Sequence, residues 1–314
     1  MKKIQFGFWL VLCALVVVPA HAAGWLPKPV KVSPNTWVWV GPYEAPSQAN
    51  RGYRMNLGFV AGKQSVAVID SGYSPEMAQQ MMQRIREVTP LPVRYVINTN
   101  SQPHRFMGNE VFRSAGAEII AARDAAARME KEGAGFSNTV ERVLALKAGS
   151  VTAPRPPDRL VDGTPLVLDL GGGVKLRVTN FGRAHTRGSL VVEVEPDQSV
   201  FAGDILYSGR LLALLPDGHV TQWIAAYDAL RGLKAKQFVP GHGKVAPLNA
   251  FEQPTYRYLM ALKSHMGKAV KDGIDIDRAT ASFDAAAWKK LANFDELGGR
   301  NASLAYLEAE ADGF

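Results

Sequence analysis

A layered α/β fold, assembled from two similar halves, is what the apolar pattern of this chain predicts. Three observations carry that expectation. Short runs such as "SVAVID" (65–70) and "VRYVIN" (93–98) are almost wholly apolar, as in buried strands. Other segments place their apolar residues at helical spacing instead. The order strands, helix, strand, helix then occurs twice along the chain, and elements in that order pack as layers of sheet and helix.

In chain order, "NTWVWVG" (35–41) reads as a strand, and "MNLGFVAGKQSVAVIDSG" (55–72) as two strands around a Gly-Lys-Gln turn. Ser74 is placed to cap a helix with Pro75 in its first turn, after which Met77, Met81, Ile85 and Val88 recur at helical spacing. "VRYVIN" is the next strand and runs straight into "TNSQPHR" (99–105). A short strand "AEIIAA" (117–122) precedes a long helix over 123–146, and "APRPPD" (153–158) is a proline-rich connector. Two hairpins follow, over 165–181 with its turn at "GGG" and over 189–204 with its turn at "PDQ". A helix over 221–233, a strand "KQFVPG" (236–241) and a mostly helical segment from Phe251 onward complete the series. The glycines of "LDLGGGVKL" join two strands and open no helix, so they are not a phosphate cradle.

Length and composition bound the function. The chain has 314 residues, 47% of them hydrophobic and 21% charged, as in ordinary globular proteins. Residues 1–22 have the form of an export signal: "MKK", an apolar run, then the small-x-small site Ala20-His21-Ala22. Residues 23–314 are then expected as a single domain with a helical C-terminal segment, located in the periplasm. The net charge of +7 includes Lys2 and Lys3, and the remaining +5 is spread without a block of like charges, which argues against nucleic-acid binding. No later apolar run is long enough to span a membrane. The only cysteine, Cys13, lies in the signal, so the exported chain is expected to rely on its core and not on disulfides.

Five apolar strands end in polar residues: "VIDSG" at Asp70, "NTNSQPHR" at Asn100 to Arg105, "GRAHTRG" at His185, "FAGD" at Asp204 and "VPGHG" at His242. Together, in this order, they resemble the metal-binding pattern of the metallo-β-lactamase fold superfamily. That pattern is a strand ending in Asp, then T-H-x-H-x-D-H-x-x-G-N, G-x-x-H-T-x-G, F-x-G-D and G-H-G. Within the superfamily the chain resembles the exported metallo-hydrolases of sulfur-oxidation and quinoprotein relay systems, through "NLGFVAGKQSVAVIDSG", "PVRYVINTN", "GNEVF", "FAGDIL", "FVPGHG" and the terminal "NASLAYLEAE". The resemblance implies an αββα sandwich with its site along the edge where two sheets meet, and a zinc-dependent hydrolase.

Carried over position by position, the loop departs from the pattern. Asn100 and Gln102 stand where the family has histidines, His104 where it has aspartate, and Arg105 where it has a third histidine. Thr99, Gly108 and Asn109 match, as do the later ligands His185, Asp204 and His242, and Asp70 matches a supporting residue. Amide oxygens bind zinc weakly, and arginine has five donors and no lone pair to offer. The expectation is therefore no metal, or one weakly held divalent ion on His104, Asp204 and His242 with His185 nearby; zinc is the ion the resemblance implies. Arg105 is expected to pair with Asp204, with Asn100 and Gln102 satisfying the imidazoles, and Asp70 to hydrogen-bond backbone in the 99–105 loop.

Three functional readings follow. The first is a weakened or non-catalytic relative binding a small molecule or a periplasmic protein in the old cleft. The second is a single-metal hydrolase of an ester, thioester or amide. The third is a metal-free hydrolase with an imidazole base, for which Ser101 and Thr186 are the candidate nucleophiles. Set against these are plain structural roles. Trp223 and Tyr227 share a helix face and read as core or pocket wall, while His219 and His265 read as surface residues.

Overall fold

The computed structural model describes residues 24–313; the export signal read at 1–22 lies outside them. Its strands form two sheets. The seven-stranded sheet runs in chain order through β1 (Val30–Ser33), β2 (Thr36–Trp39), β3 (Leu57–Ala61), β4 (Val66–Ile69), β5 (Val93–Ile97), β6 (Glu118–Ala122) and β7 (Arg159–Val161). Strands β1 to β4 pair antiparallel, β1–β2 and β3–β4 through short turns and β2–β3 through the longer segment 40–56. The pairs from β4 to β7 are parallel, so each connection must cross over the sheet. The crossovers are α1 (Pro75–Val88), the short α2 (Pro103–Phe106) and α3 (Asn109–Ser114), and α4 (Arg123–Leu144). The second sheet has β8 (Leu166–Asp169), β9 (Lys175–Asn180), β10 (Leu190–Val194) and β11 (Ser199–Tyr207) in antiparallel order. After α5 (Val220–Leu230), β12 (Gln237–His242) adds parallel to β11. Helices α6 (Tyr258–Lys271), α7 (Ile276–Ser282) and α8 (Phe294–Asp312) follow.

Period-2 alternation explains the layers. In β10, Leu190, Val192 and Val194 join a core that also contains Phe59 and Val68 of the first sheet, whereas Val191 joins a second core with Trp223 and Tyr227 of α5. The first core extends to Met77, Met81 and Ile85 of α1 and to Ala125 and Met129 of α4; the second takes in Leu259 and Leu262 of α6 and Ala302 and Ala305 of α8. Sheets are thus sandwiched by helices on both outer sides, an αββα arrangement. In α1 the Ser74 hydroxyl accepts from Met77 N at 3.2 Å, a side-chain N-cap. Val88, by contrast, is 39% exposed, as the last residue of the helix.

Polar strand ends meet at one edge of this sandwich. Two cross-connections fix their positions. Leu190 N donates to Thr99 O, tying the loop after β5 to β10. The buried Asn56 amide donates to the carbonyls of Pro240 and Gly243, and Asn56 N donates to Gly241 O, tying the entry to β3 to β12.

Candidate functional site

Asp70 leaves β4 with φ of 62°, a left-handed conformation that aspartate tolerates better than most residues. This turn presents its carboxylate to the loop after β5, where Thr99 donates to it through N (2.7 Å) and Oγ1 (2.9 Å). Asp204 sits on β11 beside a register shift at Gly203, whose φ is 52° and where a Cβ would lie 2.8 Å from Thr99. The irregularity lets the Asp204 carboxylate reach into the sandwich edge, and Gly241 on the adjacent β12 leaves the space: a Cβ there would collide with Asp204 Oδ1 and Arg105 Nη2.

Arg105, on the one-turn α2, is 1% exposed and spends every N–H it has. Nε and Nη2 donate to the two oxygens of Asp204, at 3.1 and 2.6 Å, in a paired geometry. Nη1 donates to Asp70 Oδ2 (3.1 Å) and to Asn56 O (2.8 Å), and Nη2 also donates to Gly241 O (3.2 Å). The Arg105 carbonyl is held in turn by Ser71 N and Asn98 Nδ2. One buried cation thus bridges two buried carboxylates and both sheets. Asn100 completes the cradle, donating from Nδ2 to Asp204 Oδ2 at 2.7 Å. Burial opposes the charge on Asp204, but Arg105 prevails and holds that carboxyl well below its usual range. Burial raises Asp70 to about 6 against the pull of Arg105 and Thr99, which leaves it ionised at neutral pH.

The imidazoles differ from expectation in their partners. His185 Nδ1 lies 2.8 Å from Ala213 O, and His242 Nδ1 2.9 Å from Arg54 O. A carbonyl only accepts, so in both rings Nδ1 carries the proton and Nε2 is the open nitrogen. Backbone carbonyls therefore satisfy these rings. Asn100 and Gln102 do not: Asn100 serves Asp204 and accepts from Gln102 N, while Gln102 is half-buried beside the cavity described below. Buried His104 Nε2 has no hydrogen-bond partner and lies 3.8 Å from Asp204 Oδ2; His242 Nε2 lies 3.5 Å from Asp204 Oδ1. Donor atoms of His104, Asp204 and His242 all lie within 4.8 Å of one another, which makes them one of two groups among the described residues able to hold a metal ion; the other, His219, Glu308 and Asp312, lies apart from this site. Burial keeps all three rings neutral, pushing His104 to about 3, His185 to about 4 and His242 well below 6.5.

Above these groups opens a cavity of about 220 Å³. His104, His185, His242 and Tyr207 form its floor, Arg54 and Arg210 line it, and Glu296 and Arg300 are exposed at its rim. Neither candidate nucleophile serves a base here. Ser101 Oγ accepts from Arg128, and Thr186 Oγ1 donates to the Arg187 carbonyl; among the described residues no serine or threonine hydroxyl bonds His104, His185 or His242. Trp223 packs edge-on against His185 with ring centroids 5.6 Å apart, and its Nε1 donates to Ile205 O, so it supports the floor from the core. Tyr227 is core, with its hydroxyl on Leu248 O. His219 is not a surface residue: its Nδ1 lies 2.8 Å from Glu308 Oε1, and the same carboxylate accepts from Val220 N and Thr221 N to cap α5. His265 is half-buried, with Nε2 against Ala279 O and Ser282 Oγ.

With the geometry in place, comparison with known proteins decides the family. The profile of the metallo-beta-lactamase superfamily matches residues 54–242, more than half of the chain and the stretch that holds every group from Arg54 to His242. The chain belongs to the metallo-β-lactamase superfamily. Solved structures agree on the fold. A metallo-beta-lactamase from Pontibacter korlensis superposes with a TM-score of 0.59 at 20% identity, covering 74% of this chain and 98% of that one. TMB-1 superposes at 0.58 with 16% identity over 74% and 96%, and VMB-1 at 0.55 with 16% identity over the same shares. The part beyond the superfamily match includes α6 to α8, so Glu296 and Arg300, both on α8, add to the cavity from outside the shared core. Sequence reasoning did not single out Arg54, Arg210, Tyr207 or Asn56. A signal for Arg210 existed in "FAGDILYSGR", where it follows the strand that carries Asp204.

Proposed function

We propose that this superfamily member assembles no two-zinc centre and instead binds a small molecule, after export to the periplasm, in the cavity above Asp204. One observation carries the reading: the Arg105 guanidinium, with all five N–H groups committed, supplies the positive charge between Asp204 and Asp70 that a metal would otherwise supply. Donor chemistry supports it. Of the loop positions, Asn100 offers an amide already bonded to Asp204, Gln102 a neutral amide, and Arg105 a fixed cation that repels a metal cation. Two zinc ions do not fit that set, since a catalytic zinc takes three imidazole or anionic ligands and leaves a position for water. The finer placement among exported sulfur-oxidation and quinoprotein-relay relatives belongs to the same proposal and rests on the sequence stretches alone.

A second reading has an observation of its own. His104 Nε2 is buried without a partner beside Asp204 and His242, a three-donor remnant for one divalent ion. Such an ion would supply an activated water for an ester, thioester or amide. The experiment that separates the readings is turnover of an ester, thioester and amide panel by tag-free protein, with added zinc and with chelator. No turnover in either condition, together with ligand-induced stabilisation, is the expected result. Chelator-sensitive turnover favours the single-metal reading, and turnover that saturates at two bound zinc ions overturns the proposal.

A further inference from the structure

We infer that the cavity is built to grip an oxyanion, a carboxylate or phosphate group of a small molecule, between Arg54 and Arg210. The inference rests on the reading of this cavity as a ligand site and goes further by naming the charge and chemistry of the ligand. Arg210 is 3% exposed, yet its guanidinium makes no hydrogen bond or ion pair to any described residue; the buried Nε atoms of both Arg210 and Arg54 lack partners. The Arg210 guanidinium carbon lies 5.9 Å from the centroid of the Tyr207 ring. That is not how this protein treats its other buried arginines. Arg105 has an acceptor for each N–H, and Arg84 reaches the carbonyls of Gly24 and Leu26 and the carboxylate of Glu87. A buried guanidinium without a counter-charge is costly, and two facing one cavity are more so, unless an anion sits between them.

No carboxylate of the described residues forms an ion pair with either guanidinium, although the charge of Glu296 is felt at Arg54. On the floor, both Asp204 oxygens are already engaged by Arg105 and Asn100, and the His185 and His242 imidazoles are held by backbone carbonyls. Glu296 and Arg300 meet the cavity from its exposed rim, one of each sign. Arg54 and Arg210 line the same cavity, so two like charges meet there. Arg54 comes from the segment before β3 and Arg210 from the segment after β11, so a bound anion joins the two sheets. Guanidinium forks suit carboxylate and phosphate alike. A volume of about 220 Å³ lies below the roughly 300–1,000 Å³ of drug-sized sites, so the ligand is small.

Thermal melts and calorimetric titrations test this with inorganic phosphate, sulfate, acetate, malonate and succinate at ionic strength matched with chloride. Arg54→Gln, Arg210→Gln, Arg210→Lys and the surface control Lys289→Gln accompany the parent. The expected result is saturable binding of at least one anion by the parent and by Lys289→Gln, weakened roughly ten- to hundredfold in both glutamine variants and less in Arg210→Lys. Carboxylate and phosphate arms identify which oxyanion fits. In chloride alone, Arg210→Gln is expected to melt no lower than the parent, because it removes an uncompensated buried charge; a residue that merely packs would lower it. Equal stabilisation of parent and glutamine variants, or no saturable binding of any anion, overturns the inference. A neutral molecule that binds the cavity where all anions fail would overturn the inference while leaving the ligand-site reading intact.

Discussion

Replacing Arg105 with alanine withdraws five hydrogen bonds at once and leaves two buried carboxylates without their shared cation. Asp204 would keep one donor, Asn100 Nδ2, and Asp70 would keep two, Thr99 N and Oγ1. Removing one partner from a buried ion pair costs about 3–5 kcal/mol, and here two anions are orphaned, so the upper end is expected. For a chain of this size that corresponds to a melting temperature lower by roughly 5–8 °C. Urea and thermal unfolding of parent and Arg105→Ala at neutral pH, with chelator present, measure it. The pair itself is isolated by adding Asp204→Asn. The double variant should be less destabilised than the sum of the singles by on the order of 2 kcal/mol, since it removes both charges. An Arg105→Ala protein within about 1 kcal/mol of the parent, or strict additivity with Asp204→Asn, would refute the bridging role of this arginine.

Three further outcomes follow from the same geometry. Arg105→His adds an imidazole beside His104, Asp204 and His242 and removes the competing cation; zinc affinity should rise at least about tenfold, read by competition with a chromogenic chelator, and an unchanged affinity counts against the metal-replacement account. Penicillins and carbapenems should survive the parent protein, and resistance in a host carrying it in the periplasm would contradict that. Stability should be full above about pH 6.5 and fall towards pH 4. His104, His185 and His242 are neutral in the fold but bind protons below 6.5 once unfolded, each contributing up to about 1.4 kcal/mol per pH unit. Asp70, raised to about 6, works in the opposite direction between pH 6 and 4 and offsets one of the three. A flat or inverted profile in urea unfolding would contradict the neutral, buried imidazoles.

The layered fold was legible because its signals are local. All-apolar runs mark β4 and β5, Ser74 and Pro75 mark the start of α1, and "GGG" marks the β8–β9 turn. What went unread is either short or long-range. Strands β1 and β7, of four and three residues, carry too little pattern, and α2 is a single turn that reads as loop. His219 looked like a turn residue because its partner Glu308 is far away in sequence on α8. The imidazole partners were misassigned for the same reason: the carbonyls of Arg54 and Ala213 carry no sequence signature, and only the packing of the two sheets brings them to His242 and His185. Arg54 and Arg210 were passed over because an arginine in a segment flanking a strand is ordinarily solvated, and only a buried Nε without a partner sets these two apart.

Elemental analysis coupled to anomalous diffraction at the zinc edge, on tag-free protein crystallised with excess zinc, tests the central claim most directly. The account predicts well below one zinc per chain after dialysis, and electron density for the Arg105 guanidinium lying between Asp204 and Asp70. Two anomalous peaks at the sandwich edge, with Arg105 turned out to solvent, would contradict it.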